Sequence, residues 1–201
     1  RHTASLIFNV PESKVTDEQR SQAKTVNFGI IYGMSAYGLS KDLDLEVEKA
    51  QEFIDSYFER YPKVREFIEE CIEEARENGF VTTILNRRRY IPEINSENMN
   101  IRNFAERTAI NTPIQGSAAD LIKLAMIKIH KELQWQRLRA LMILQVHDEL
   151  VFEVPKDEIE DVIHLVKEKM ETIMRLLVPI KVNVCVGKNW LELEERRSVT
   201  T

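Results

Sequence analysis

Cysteine is scarce: Cys71 and Cys185 are the only two in 201 residues. They stand far apart, with no Cys-x-x-Cys and no neighbouring histidine, which excludes a zinc site of ordinary spacing. Reduced thiols of a cytoplasmic protein are the expectation. Positive charge is not in surplus either. Twenty-eight Lys and Arg face 33 Asp and Glu, for a net charge of −5 and a pI near 5.5. A protein that coats nucleic acid by bulk charge is thereby excluded, and any such contact must come from locally placed cations. No apolar run approaches the roughly 18 residues that a membrane-spanning helix needs. No signal peptide opens the chain, and there are no internal repeats or low-complexity stretches. The first residue is Arg1 rather than Met, so removal of something upstream is expected. What remains is an ordinary globular composition, 43% hydrophobic and 30% charged, long enough for one large domain or two small ones with a real core.

The first half reads as helical. Thr16-Asp17-Glu18-Gln19 is a capping box, in which a threonine hydroxyl and a glutamine three residues on satisfy each other's orphan amides. The helix it opens is expected to run to about Tyr32, where Gly33 offers a stop. A second helix, about 45–60, spaces Val47, Ala50, Phe53, Ile54, Tyr57 and Phe58 at helical intervals. Pro62 opens a third, which Asn78-Gly79 ends. Residues 80–91 read as a small hairpin around Asn86-Arg87. A helix of about 99–110 is expected to stop at Thr112-Pro113, with Ser117 capping a longer one through about Leu133. Then the character changes. Leu141 to Val146 and Glu149 to Val154 are apolar runs with His147-Asp148 at a hairpin tip. An amphipathic helix from Ile159 through Leu177 follows. Ile180, Val182, Val184 and Val186 alternate as a half-buried strand, and the tail from Glu194 reads as polar and frayed. The division is placed near residue 100, helical before and mixed after. The fold class is α+β.

Three groups of polar residues carry candidate chemistry. Arg20, Lys24, Phe28 and Tyr32 recur every four residues, so each lies about 40° round the helix from the last. Two cations a turn apart repel mildly and add nothing to the helix. A triphosphate along that face would explain them, with cations on phosphate oxygens and rings on sugar and base. Spacing alone favours the plainer reading of core rings and solvated cations. Asp148 and Glu149 form the second group. Consecutive carboxylates can approach one cation best at a turn, although an acidic turn is more often simply solvated. Arg107, Asn111 and Gln115 form the third, and can donate to the acceptors that every base pair shows in the minor groove. The expected break at Pro113 leaves their alignment open. Arg87-Arg88-Arg89-Tyr90 is a weaker phosphate patch.

The strings themselves go further than their spacing. Arg20-x-x-x-Lys24-x-x-x-Phe28-Gly-x-x-Tyr32-Gly resembles the nucleotide-binding helix of family A DNA polymerases. Gln145-Val-His147-Asp148-Glu149 resembles that family's C-terminal carboxylate motif, and the stretch from Arg107 through Asn111 and Gln115 to Asp120 its primer–template segment. The resemblance runs from about Thr3 to Leu191 in the family's motif order. It implies helical fingers (1–100) followed by a palm of antiparallel strands with packed helices (101–195), and a polar tail (196–201). It also implies roles. Arg20 and Lys24 would hold the triphosphate of an incoming dNTP, Phe28 would pack on its deoxyribose, and Tyr32 would sit by the nascent pair. Arg107, Asn111, Gln115 and His147 would contact primer–template DNA. Asp148 would bind catalytic Mg²⁺ and Glu149 would support it. The function implied is template-directed addition of dNTPs to a primer 3′-hydroxyl in DNA replication and repair.

The chain departs from that pattern in places. Asn86 stands where the family usually has glycine, a mild change because Asn tolerates left-handed backbone. The family's other metal-binding aspartate, in an Asp-Tyr-Ser strand, has no counterpart here. Its triphosphate-contacting histidine falls before His2, so that role is not given to His2. No exonuclease domain is present. The isolated chain is therefore expected to lack synthesis, to expose a sheet edge, and to need the N-terminal remainder of a polymerase as a partner. The main alternative is a nucleic-acid- and dNTP-binding module without catalysis. A helical interaction domain is the third reading, and has no use for Arg20, Lys24 and the acidic tip together.

Overall fold

The computed structural model describes residues 1–196. They form two compact units, Arg1–Gly116 and a second from Ser117 onward, so the division falls inside one long helix. Nearly all of the expected tail, residues 197–201, lies outside the described residues.

In the first unit, α1 (His2–Phe8) and α2 (Asp17–Ile31) are followed by α3 (Ala36–Leu43), α4 (Val47–Arg60) and α5 (Pro62–Asn78). Both halves of the capping box form at the start of α2: Gln19 N–H donates to Thr16 Oγ1 and Thr16 N–H to Gln19 Oε1. One side of α2 buries Ala23, Val26 and Ile30, the i, i+3, i+7 pattern of a core-facing stripe. Val26 and Ile30 pack with Leu39, Ala50 and Ile54, and Ala23 packs with Ala4 and Val15. That burial fixes which side of α2 looks outward. Gly79 ends α5 at φ +75°, a left-handed conformation that glycine adopts without a Cβ penalty. β1 (Phe80–Thr82) and β2 (Arg88–Tyr90) then pair antiparallel, Phe80 opposite Tyr90. Val81, Ile91 and Ile94 bury against Ala75, Ala105 and Ala109.

The expected stop at Thr112-Pro113 does not occur. α6 runs unbroken from Met99 to Trp135 with Pro113 inside it. An interior proline costs about 3 kcal/mol. Burial explains why the helix survives, because Ala105, Ala109 and Ile110 precede Pro113 and Ile122, Ala125, Ile129 and Leu133 follow it, all buried. Thr112 Oγ1 also donates to Thr108 O at 2.7 Å, supplying a side-chain bond beside the interruption.

The second unit sets the far half of α6 against β3 (Leu141–Val146), β4 (Glu149–Glu153) and α7 (Ile159–Glu171). Ala125, Ile129, Leu133, Ala140, Val162, Leu165 and Ile173 are its core. Glu158 joins the starts of β3 and α7: its carboxylate accepts from Arg139 N (2.8 Å), Ala140 N (3.2 Å) and Arg139 Nε (2.7 Å). α7 is shorter than its apolar pattern suggests. It ends at Glu171, and the Glu171 carboxylate accepts from Val182 N–H at 3.0 Å, a distant partner that holds the returning chain. Ile173 stays buried beyond the helix, while Leu177 is fully exposed. The strand expected over 180–186 keeps its alternating burial, but only β5 (Cys185–Gly187) is laddered. Its partner is β6 (Leu193–Glu195), in a segment expected to be frayed.

Candidate functional site

α2 presents Arg20, Lys24 and Phe28 to solvent, with Tyr32 half-buried at its C-cap. Phe28 and Tyr32 stack at 6.1 Å between centroids and 20° between planes, and Lys24 Nζ lies 5.8 Å from the Phe28 centroid. Phe28 is 47% exposed and outside the buried cores, so the plain reading of a core ring does not hold for it. Among the described residues, neither Arg20 nor Lys24 has an ion-pair partner.

Two clefts flank this stripe. The larger, about 810 Å³, is lined by Lys24, Phe28, Tyr32, Met34, Ser35 and Arg107, among others. The smaller, about 370 Å³, includes Arg20, Lys24, Phe28, Tyr57 and Tyr61. Arg20 lines only the smaller cleft and Tyr32 only the larger, while Lys24 and Phe28 border both. Helix geometry accounts for the crossing. Each four-residue step turns about 40°, so Arg20 and Tyr32 are about 120° apart round α2. The stripe passes from a cation end to an aromatic end.

Gly29 and Gly33 line the larger cleft close to other lining side chains. A Cβ on Gly29 would stand 2.6 Å from Met34 Cε, and Gly33, at φ +78°, would set one 3.3 Å from Arg107 Cγ. Sequence reasoning grouped Arg107 with Asn111 and Gln115, and the structure also brings it beside Tyr32. Because α6 is continuous, Arg107, Asn111 and Gln115 do share one helix at four-residue spacing. Arg107 and Gln115 are exposed. Asn111 Oδ1 is buried with no hydrogen-bond partner among the described residues, and a buried acceptor left so costs about 1–3 kcal/mol. Met34, Tyr57 and Tyr61 were not foreseen as site residues. The helical spacing that includes Tyr57 marks it only as an apolar position, and all three reach the clefts through packing.

In the second unit, His147-Asp148 forms the two-residue turn between β3 and β4, with Val146 opposite Glu149. His147 sits at φ +53°, and Gln145 Nε2 donates to His147 O at 2.8 Å, holding the turn. Asp148 and Glu149 are both exposed. Among the described residues, no group of three or more His, Cys, Asp or Glu could hold a metal ion. Asp148 and Glu149 are therefore an adjacent pair of exposed carboxylates with no third such group gathered beside them among the described residues. Along β3, the strand that leads to the tip, Leu141, Ile143 and Leu144 are exposed on a two-stranded sheet.

The comparisons with known proteins agree with one another. The model of "DNA polymerase family A" matches residues 1–192. DNA polymerase I of Bacillus caldotenax is 52% identical over 190 residues, 94% of this chain and 22% of that protein. The thermostable DNA polymerase I of Thermus aquaticus is 49% identical over 193 residues, 96% of this chain and 23% of that protein. Among solved structures, the POL domain of Pol1 from M. smegmatis, in complex with DNA primer–template and dNTP, superposes with a TM-score of 0.85. It is 44% identical, with 89% of this chain and 32% of that one covered. The chain thus spans about a fifth of the length of the curated relatives it matches. No helix among the described residues is long and apolar enough to cross a membrane.

Proposed function

The chain belongs to DNA polymerase family A, and from that premise we propose that it supplies the dNTP-binding and primer–template-contacting parts of a DNA-directed DNA polymerase. The observation that carries this reading is the α2 stripe, with unpaired cations at one end and stacked rings at the other. Arg20 and Lys24 take the triphosphate, as charge-assisted donors to its oxygens. Phe28 packs on the deoxyribose and Tyr32 lies beside the nascent base pair. Arg107, Asn111 and Gln115 contact the minor groove, where shared acceptors report pair geometry without reading sequence. His147 contacts the primer end. In these roles, residues 1–100 act as fingers and 101–195 as the palm.

The reaction transfers a nucleotidyl group. The primer 3′-oxygen forms a bond to the α-phosphorus, the bond to the β-phosphate oxygen breaks, and pyrophosphate leaves. The chain's own contribution is positioning and neutralisation of phosphate charge. Mg²⁺ is the cofactor the family resemblance implies, but Asp148 and Glu149 alone do not make its site, so no step is assigned to it. The exposed side of β3 is where further polymerase sequence would pack. Both cysteines are free thiols, as suits the cytoplasm; burial, then Glu74 and Glu70, pushes Cys71 up to about 11, so it stays protonated there.

The incomplete donor set favours a second reading for the chain by itself, a dNTP- and DNA-binding module without catalysis. A chimera separates the two. If this chain replaces the matching 190-residue stretch of the Bacillus caldotenax protein, it should support primer extension, whereas the chain alone should bind dNTP and DNA without extending a primer. A folded chimera without extension activity would reject the catalytic reading.

A further inference from the structure

The smaller cleft holds two residues that the α2 stripe does not account for. Tyr57 lies on α4 and Tyr61 caps that helix, and both line the cleft with Arg20 and Lys24. Their rings are 5.0 Å apart, and Tyr57 also meets Phe58 edge-on at 5.7 Å. Among the described residues, neither tyrosine hydroxyl has a hydrogen bond. The other polar groups of the cleft are already engaged. The Arg1 guanidinium is bound to Val15 O and Asp17, and the Asn27 amide donates to Thr3 Oγ1. No carboxylate lines the cleft. A concave space with two uncompensated cations, two unused hydroxyl donors and no acid suits a polyanion.

Resting on the reading of α2 as the nucleotide helix, we propose that Tyr57 and Tyr61 are phosphate-contacting residues. Their hydroxyls donate to the distal phosphate oxygens of the nucleotide that Arg20 and Lys24 hold. Burial, and secondarily Tyr61, raises the Tyr57 hydroxyl above its ordinary value, so it remains a protonated donor at neutral pH. The Tyr57 ring also packs against the core built on Val26, Ile30 and Leu39. The informative change is therefore one that keeps the ring and removes only the oxygen.

The test titrates the 201-residue chain with inorganic tripolyphosphate and, separately, with dTTP, by calorimetry. Tyr57→Phe and Tyr61→Phe should each weaken tripolyphosphate binding about tenfold, as loss of a hydrogen bond to a charged group does, with the melting temperature unchanged. Phe28→Ala, which removes the ring proposed to pack on the sugar, should weaken dTTP binding by a larger factor than tripolyphosphate binding. If the double Tyr→Phe variant binds tripolyphosphate like the parent while Arg20→Ala does not, the tyrosine proposal falls and the nucleotide reading stands. A loss of affinity that merely follows a fall in melting temperature overturns it as well. If the parent chain binds neither probe, both readings fall.

Discussion

The α2 stripe and the β3–β4 tip are built from equally short stretches of sequence, yet they differ in how much they carry by themselves. Arg20, Lys24, Phe28 and Tyr32 share one helix, whose cap, buried face and flanking clefts all come from the first unit. Binding a nucleotide needs cations, rings and a concave wall, and all of these are present. The tip has a well-held turn, but it presents one aspartate and an adjacent glutamate, fewer carboxylates than the metal-assisted transfer proposed for it needs. Recognition can be local in sequence. Metal-assisted transfer gathers like charges, and like charges repel unless several elements hold them around a cation.

The largest effect should therefore appear at the tip. In the Bacillus caldotenax chimera, Asp148→Asn should lower primer extension by on the order of a thousandfold, the several kcal/mol expected of a lost metal ligand. Primer–template binding should stay within a few-fold. Glu149→Gln should cost only about tenfold, as for a supporting group. Extension near the parental rate in Asp148→Asn would break the comparison, because the tip would then not be the chemical end of the chain.

A second variant sharpens the other side. Phe28 has no polar atom to stand in for a missing 3′-hydroxyl if its ring packs on the deoxyribose. Phe28→Tyr should supply one and narrow the preference for deoxy over dideoxy substrates, on the order of a hundredfold, as polar groups in such sites do. Competition between the two substrates in primer extension measures it, and an unchanged ratio removes Phe28 from the sugar.

Next in size are the cations. Lys24→Ala and Arg20→Ala should each weaken dTTP binding by the chain alone by about ten- to a hundredfold, a charge-assisted bond apiece. The effect should fade as salt rises, because both side chains are exposed. Equal affinity in parent and variants would mean that the two cations are merely solvated, as the spacing alone suggests for them.

How much of this was legible follows the same local-versus-distant line. Thr16 with Gln19, Pro62 and Gly79 mark helix ends because their partners lie within a few residues, and all three ends stand where they were expected. Pro113 misled for the opposite reason. Its local cost is real, but burial on both sides of it outweighs that cost. The early end of α7 depends on Glu171 meeting Val182, eleven residues on, and β5 depends on a partner in a polar tail. In the site, four-residue spacing revealed the stripe and the string identified the tip. Tyr57, Tyr61 and the place of Arg107 beside Tyr32 arise only when separate helices pack.

The smallest predicted effect is also the most direct test of α2's self-sufficiency. Thr16 accepts one orphan amide of α2 and Gln19 satisfies Thr16's own. Thr16→Ala removes the first of these bonds and should cost about 1 kcal/mol, with no change in any residue proposed to touch nucleotide. If α2 is a locally held recognition element, that cost should fall on its opening of the helix, which hydrogen exchange of the α2 amides would register as about fivefold faster local unfolding. Arg20 is one turn from the cap, so dTTP affinity should drop by a similar small factor while the β3–β4 amides keep their protection. Loss of protection at the β3–β4 turn to the same degree would instead mean that the chain opens as one cooperative block. The stripe's independence from the tip would then be lost, although each group of residues could keep its chemistry.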